Sequence, residues 1–413
     1  MTSRDRIKAA WSGQRSDHVP LTTWCFGLPA PDGLRWETNG RPVNHWYSLR
    51  LEHIHTLPEP WTLEDDFRRV LAWQSLGVDD ILDVSVPWSV DASVTWEDSC
   101  VPAGEIDRYP VLVREYHTPS GSLRHEVRQT GEDPGLGWVV QPESVPLFED
   151  YNIPRAVRHA VSRPEDVPII RHLFQAPDAA AHDWFTERMT AVRAFADAHG
   201  VAVQAWAGFG MDGIVWLTGA EGAVMLAIDH PAAFGQLVDI VAEADVGRAE
   251  LAAATPGVDM VVERGWYSST DFWSPRLFDR FVYPQVERIA EVVHKHGKKF
   301  GYTMTTGVER LGPRLADAGV DVLYFVDPVQ DGLPLESARD LLGDRMTMVG
   351  GTNALTLASG DVERIRNEVQ HAVRALGPTN RFILQPTDAV FPDTPWHGIH
   401  TMIDAWMGVR ELV

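Results

Sequence analysis

A chain of 413 residues with 44% hydrophobic residues can bury a large core, so a disordered or fibrous protein is excluded. Its formal charge of −22, with no Lys/Arg-rich run, argues against a nucleic-acid partner. No apolar stretch approaches about 18 residues, the polar start Met1-Thr2-Ser3-Arg4-Asp5-Arg6 has no signal-peptide pattern, and two cysteines make neither a disulfide framework nor a Cys-type zinc site, so the expectation is a cytoplasmic enzyme without a membrane partner.

In chain order, residues 3–12 read as a short amphipathic helix and Val19–Cys25 as a first strand. Residues 27–60 are rich in Pro, Gly, Trp and His without periodicity, too long for an ordinary connection, and predict a cap over the site. Thr62-x-x-Asp65 resembles a capping box opening a helix to Leu76, and Asp80–Val86 is a strand. Alternation over 109–130 around Thr118-Pro119-Ser120-Gly121 predicts a β-hairpin inserted at 105–140. Helices are expected at 154–162, 178–199, 219–228 and 231–253, with strands at Val201–Ala207 and Val258–Val262.

From Ser274 to Pro395 the rhythm becomes regular. Ser274-Pro275 is an N-cap followed by Pro at the first helical position, opening a helix that stops at His296-Gly297. Apolar runs follow at Lys299–Met304, Gly319–Val326, Met346–Val349 and Phe382–Leu384, each ending in polar residues. Strands alternating with helices at a spacing of roughly 30 residues mean parallel βα units, whose chemistry sits where strands end. The fold expected is α/β: a single (β/α)8 TIM barrel over 1–413, with an N-terminal cap at 1–60.

The strand ends present Asp83, Asp212, Glu263, Tyr302, Asp327, Asn353, Gln385 and Asp388. Carboxylates crowded in an enclosed mouth repel one another and raise a pKa, which makes a general acid or base; equally, Asp and Asn at strand ends cap helices and brace loops. Among the sixteen tryptophans, Trp24, Trp36, Trp46, Trp61, Trp73, Trp88 and Trp96 crowd the first hundred residues. Rings on loops over a mouth would line an apolar or cation-binding pocket, although in a protein this large they also fill core. His294 and His296 do not share a helix face and suit a helix C-terminus. His53 and His55 fall in the cap. Cys25 reads as a buried thiol rather than a nucleophile. Gly208-Phe209-Gly210 and Gly350-Gly351 lack the spacing of a dinucleotide loop, and Gly350-Gly351 suits close backbone approach.

Several motifs carry a resemblance. Arg15-x-Asp17-x-Val19-Pro20, Gly77-Val78-Asp79, Thr118-Pro119-x-Gly121-x-Leu123-Arg124, Gly219-x-Glu221, Asp229-x-Pro231, Ser274-Pro275-x-x-Phe278, His296-Gly297-Lys298-Lys299, Ala318-Gly319-Val320-Asp321, Gly350-Gly351 and Asp393-Thr394-Pro395 occur in order along nearly the whole chain. Together they resemble the uroporphyrinogen decarboxylase superfamily, which also holds cobamide- and thiol-dependent methyltransferases. In the methyltransferase branch, His-x-Cys-Gly and a late Cys bind zinc; here Met304 and Thr306 stand before Gly307, and the late position falls at about Asp388, so no zinc is expected. The decarboxylase branch carries an arginine-rich motif with no counterpart around Trp24–Pro31. Its catalytic Asp follows a Ser, whereas Ser85 here is followed by Val86 and Asp83 lies two residues earlier.

The resemblance implies a zinc-independent methyltransferase or demethylase acting on a small methylated substrate, with a cobamide or similar carrier and a corrinoid protein as partner. The alternatives are a decarboxylase of a small carboxylic acid, and a non-catalytic subunit docking on a corrinoid protein. The residues expected to do the chemistry are Asp388, Glu263, Tyr302 and Asp212, with Trp24, Asp83, Trp266, Asp327, Asn353 and Gln385 holding the substrate.

Overall fold

The structure, a computed structural model, describes residues 1–25, 63–105, 107–129, 145, 147–148, 153, 155–387, 389–390 and 394–411, apart from the side chains of residues 64 and 65. Helix α1 (Ser3–Trp11) opens with a capping box in which Thr2 and Asp5 satisfy each other's backbone N–H groups. Helix α2 (Leu63–Ser75) leads through Gly77 into strand β1 (Ile81–Ser85). A small antiparallel sheet follows: β2 (Thr95–Val101), β3 (Val111–Thr118), β4 (Gly121–Arg128) and β5 (Ala156–Arg158), paired in that order. The helix expected at 154–162 is therefore wrong; Ala156-Val157-Arg158 pairs with β4, and β-branched Val157 suits that role better than a helix.

The remaining chain alternates strand and helix: α3 (Ala179–His199), β6 (Ala202–Gly208), α4 (Gly210–Thr218), α5 (Ala220–Asp229), α6 (Pro231–Ala254), β7 (Met260–Glu263), α7 (Pro275–Leu277), a π-helical turn (Phe278–Val282), α8 (Tyr283–Lys295), β8 (Lys299–Thr303), α9 (Val308–Asp317), β9 (Val322–Val326), α10 (Leu335–Leu342), β10 (Thr347–Asn353), α11 (Ala354–Ala358), α12 (Val362–Leu376), β11 (Phe382–Thr387) and α13 (Trp396–Met407). The seven parallel strands form one curled sheet in the order β1-β6-β7-β8-β9-β10-β11, a TIM-barrel-like arrangement whose strands read as continuous apolar runs because both faces are covered.

Val19–Cys25 is not the regular strand expected. Leu21 and Cys25 make single parallel bridges to Leu384 and Val390. Thr22 N–H donates to Leu384 O (2.9 Å), Val390 N–H to Trp24 O (2.6 Å) and, on the other side, Asp79 N–H to Leu21 O (2.8 Å). The segment thus lies between β11 and the approach to β1, in the place of an eighth stave held by isolated bonds rather than a ladder. The cap at 27–60 and the capping residue Thr62 lie outside the described residues. Among the described residues no single helix is long and apolar enough to cross a membrane; α4 and α5 together carry the apolar length but bend by 98°.

Candidate active site

Strand alternation decides which side chains meet. Asp83 pairs in register with Gln204 on β6. The Gln204 amide donates to Asp83 Oδ1 (2.5 Å), the Trp206 indole N–H donates to the same oxygen (2.7 Å), and the Tyr324 hydroxyl on β9 donates to Gln204 Oε1 (2.5 Å). A contact between β6 and β9 is possible only across the inner face of the curled sheet, so these groups share the barrel interior. Thr22 donates to Gln385 Oε1 there (2.9 Å). Thr22, Trp24, Asp83, Gln204, Tyr324 and Gln385 line a cavity of about 20 Å³, room for a single water.

Burial pushes the Asp83 carboxyl up to about 7, against the downward pull of Arg69 and of the Trp206 and Gln204 hydrogen bonds. Arg69, itself fully buried on α2, donates Nε–H to Asp66 (3.3 Å), Nη1–H to Asp80 and Nη2–H to Ile81 O (3.2 Å). One guanidinium thus faces three carboxyls, two of which it contacts directly.

Above Asp83 the mouth is walled by rings. Trp24 stacks on Trp206 (centroids 5.6 Å apart, planes 4° apart), on Trp266 (5.4 Å, 14°) and on Phe325 (5.4 Å, 27°). Phe325 is aimed by a bulge: its φ is +70°, a strained value for an aromatic residue, and the β9–β10 register slips opposite it, between Val349 and Gly350. Gly350 allows this, because a Cβ there would lie 2.5 Å from Val326 O. Gly350-Gly351 does permit close backbone approach. Gly350→Ala is expected to lower stability by about 2 kcal/mol or more, read by denaturant unfolding, because the bulge has no room to shift.

The residues expected in one ring divide between two faces. Gly301 faces inward, where an added Cβ would meet Met260, Val262 and Tyr324 at 3.3 Å. The next residue, Tyr302, therefore faces outward, toward the helices, as does its register partner Glu263. Gln285 on α8 donates to Glu263 Oε1 (3.2 Å), and Gly208 and Gly210 make the room, since a Cβ on either would come within 2.5 Å of the Glu263 side chain. Burial, with Asp245 and Asp212 nearby, raises the Glu263 carboxyl well above its ordinary range; burial, then Glu263, raises Tyr302 likewise.

Asp212 accepts from Arg264 Nε–H (3.1 Å) and Tyr267 N–H (2.9 Å), fixing Arg264 between the Trp216 and Trp266 rings (4.8 and 4.5 Å). Asp245 holds the N–H groups of Phe209 and Gly210, while Arg248 ties Asp245 to Val86 O. Glu263, Tyr302 and Asp212 are thus placed behind the mouth, not in it. Glu263→Gln is expected to keep activity and to raise the thermal midpoint at pH 8. The sign follows from a folded pKa above the unfolded one: wild-type stability falls as pH rises past the unfolded value, and the amide escapes that loss. The gain should vanish near pH 4.

Asp327 accepts from the N–H groups of Val329 and Gln330 and from the Asn353 amide (2.6 Å), while Asn353 Oδ1 caps α11 at Leu355 and Thr356. Their hydrogen bonds thus go to each other, to the loop after β9 and to the start of α11. Asp388, His53 and His55 lie outside the described residues. Met304 is buried and Thr306 donates to Asp271 (2.6 Å); among the described residues no three His, Cys, Asp or Glu side chains are grouped to hold a metal. Burial raises the Cys25 thiol, as suits an inert core cysteine. His294 and His296 pair with Asp321 and Glu250 (both 2.7 Å).

Sequence reasoning missed Gln204, Trp206, Tyr324, Phe325 and Arg69. Gln204 and Trp206 sit at alternate positions of one apolar strand, and a buried polar residue inside such a run is the available signal. Phe325 carries none, since a positive φ leaves no mark in sequence.

The family model described as Uroporphyrinogen decarboxylase (URO-D) matches residues 149–408. No curated protein matches the chain. Among solved structures, a methyltransferase from Methanosarcina mazei is 18% identical with a TM-score of 0.57, covering 99% of each chain, which shows a shared fold. A xylose isomerase domain protein from Planctomyces limnophilus is 14% identical with a TM-score of 0.35, covering 63% of this chain and 95% of its own.

Proposed function

Because the chain belongs to the uroporphyrinogen decarboxylase (URO-D) family, we propose that it is an enzyme whose active site is the mouth around Asp83. The reaction is transfer of a methyl group from a small methylated substrate to a cobamide or similar carrier, without zinc. The observation that carries this reading is a carboxyl with pKa about 7, oriented by two donors at the base of an aromatic mouth. A group half protonated near neutral pH serves well as a general acid. As the methyl group leaves, Asp83 gives its proton to the heteroatom left behind, while Gln204 and Trp206 hold the carboxyl in place. The rings keep water from the reacting atoms.

The methyl-transfer branch is preferred because the Thr118-Pro119-x-Gly121 hairpin and the Arg15–Pro20 opening resemble it more than the decarboxylase, and because the Methanosarcina mazei structure of like fold is a methyltransferase. A cobamide, when present, supplies a nucleophilic metal centre that accepts methyl groups. A cavity of about 20 Å³ does not admit a corrin ring, so the carrier would meet the mouth from outside, brought by a corrinoid protein. Incubation with methylated donors and a reduced cobamide, followed by absorbance, tests the reading: methylcobamide formation is expected. A neutral Asp83 could instead protonate a carbanion after loss of carbon dioxide, so carbon dioxide release without methyl transfer selects the decarboxylase.

A further inference from the structure

Asp83 stands at the end of a short chain of hydrogen bonds that crosses the barrel interior. The Tyr324 hydroxyl donates to Gln204 Oε1 (2.5 Å), and the Gln204 amide donates to Asp83 Oδ1 (2.5 Å). A glutamine amide can turn over without changing its shape, and its two orientations have opposite effects on a carboxyl. With NH2 toward Asp83 it gives a hydrogen bond that favours the carboxylate. With C=O toward Asp83 it accepts one from the protonated acid and so holds that proton. The choice is fixed at the other end of the chain. Burial, then the Asp83 charge, raises the Tyr324 phenol well above its ordinary range, so the hydroxyl keeps its proton and stays a donor. Among the described residues Gln204 Oε1 is the acceptor it meets, and a reversed amide would leave this buried hydroxyl without one.

The ring that carries the hydroxyl has little freedom. Tyr324 is buried, packs beside Phe325 (centroids 6.0 Å apart, planes 53° apart) and lies over Gly301 on β8, where an added Cβ would stand 3.3 Å from it. The Trp206 indole also donates to Asp83 Oδ1 (2.7 Å), so two donors occupy that oxygen and the neutral acid carries its proton on Oδ2. Among the described residues, the charged and titratable groups that face Asp83 are Arg69 and Asp66 on α2, Asp80 just before β1, and Tyr324 on β9. Arg69 and Asp66 act on it by charge, whereas Tyr324 acts through the orientation of an amide.

We propose that Tyr324 is a positioning residue: by fixing the Gln204 amide with its NH2 toward Asp83, it keeps the proton of Asp83 free for the substrate instead of bound to the Gln204 carbonyl. The inference rests on the reading of Asp83 as the acid of the active site, and adds to it the residue that sets how firmly that acid holds its proton.

Tyr324→Phe removes one oxygen, and the infrared C=O band of Asp83 reads the consequence without requiring turnover. With no hydroxyl to satisfy, the Gln204 amide turns over and accepts from protonated Asp83. The band is then expected to titrate away about one pH unit higher than in the wild type. The alkaline limb of methyl transfer should move up by the same amount. In a Gln204→Leu background the same substitution should move the band no further, because Tyr324 acts only through the amide. An unmoved titration in Tyr324→Phe, or an equal upward shift with Gln204 already replaced, overturns the proposal. If Tyr324→Phe does not fold, neutron diffraction from the wild type at pH 6 decides: Gln204 deuterons facing Asp83 are the expected result, and deuterons facing Tyr324 the contrary one. A wild-type carboxyl already ionised at pH 5 would remove the acid itself, whereas an acid that titrates near pH 7 in both proteins would remove only the part given to Tyr324.

Discussion

Replacing Asp83 with asparagine is expected to lower methyl transfer by about 10²–10⁴-fold while leaving the fold intact, because asparagine keeps an oxygen for Gln204 and Trp206 but has no proton to give. Wild-type activity should fall as pH rises through about 7, where Asp83 loses its proton. The same substitution should strengthen the protein at alkaline pH. The folded pKa of Asp83 lies above the unfolded value near 4, so the wild type loses stability from about pH 4 up to about pH 7, on the order of 4 kcal/mol in all. The amide of the variant would carry no such loss. Wild type and Asp83→Asn should therefore unfold at similar denaturant concentrations at pH 4 and diverge by pH 8, with the inactive variant the more stable. A gain in stability coupled to a loss of activity marks a catalytic acid and sets Asp83→Asn apart from Glu263→Gln, for which only the gain in stability is expected.

The second large effect is expected at Arg69. Arg69→Met removes the guanidinium that contacts Asp66, Asp80 and Ile81 O, and leaves two buried carboxyls without their cation. Breaking a buried pair in this way costs about 3–5 kcal/mol, which denaturant unfolding would read. Arg69 also pulls the Asp83 pKa down. In any surviving protein the alkaline limb of the pH–rate profile should therefore move upward, which a purely structural role for Arg69 would not produce.

The sequence makes the frame legible and the site only partly so. The βα alternation from Val201 to Leu384 follows from period and punctuation, because buried parallel strands are apolar throughout and helices end at Gly or before Pro. The order of short motifs also identifies the family. Facing is harder to read. Glu263 and Tyr302 end their strands with polar groups, as an active-site residue would, yet they point to the helix layer, where glycines at 208, 210 and 265 make room for them. A slip of one residue in strand parity moves a side chain from the mouth to the back of the sheet. The bulge between Trp206 and Gly208 introduces such a slip, and no residue type announces it. Asp327 and Asn353 illustrate the other ambiguity: the groups that bind substrates at strand ends are also those that cap helices, and their partners decide. The sequence marks Asp83, but as a substrate contact. The acid role proposed for it depends on Gln204, Trp206 and Arg69, of which the first two are distant in sequence.

The most direct measurement is the protonation state of Asp83. Infrared difference spectra between wild type and Asp83→Asn, recorded across pH 4–9, isolate the C=O stretch of this one carboxyl. A protonated carboxyl band that titrates away near pH 7 and is missing from the variant is the predicted result. A carboxyl already ionised at pH 5 would contradict it, because Asp83 would then have no proton to give at the pH where the enzyme works.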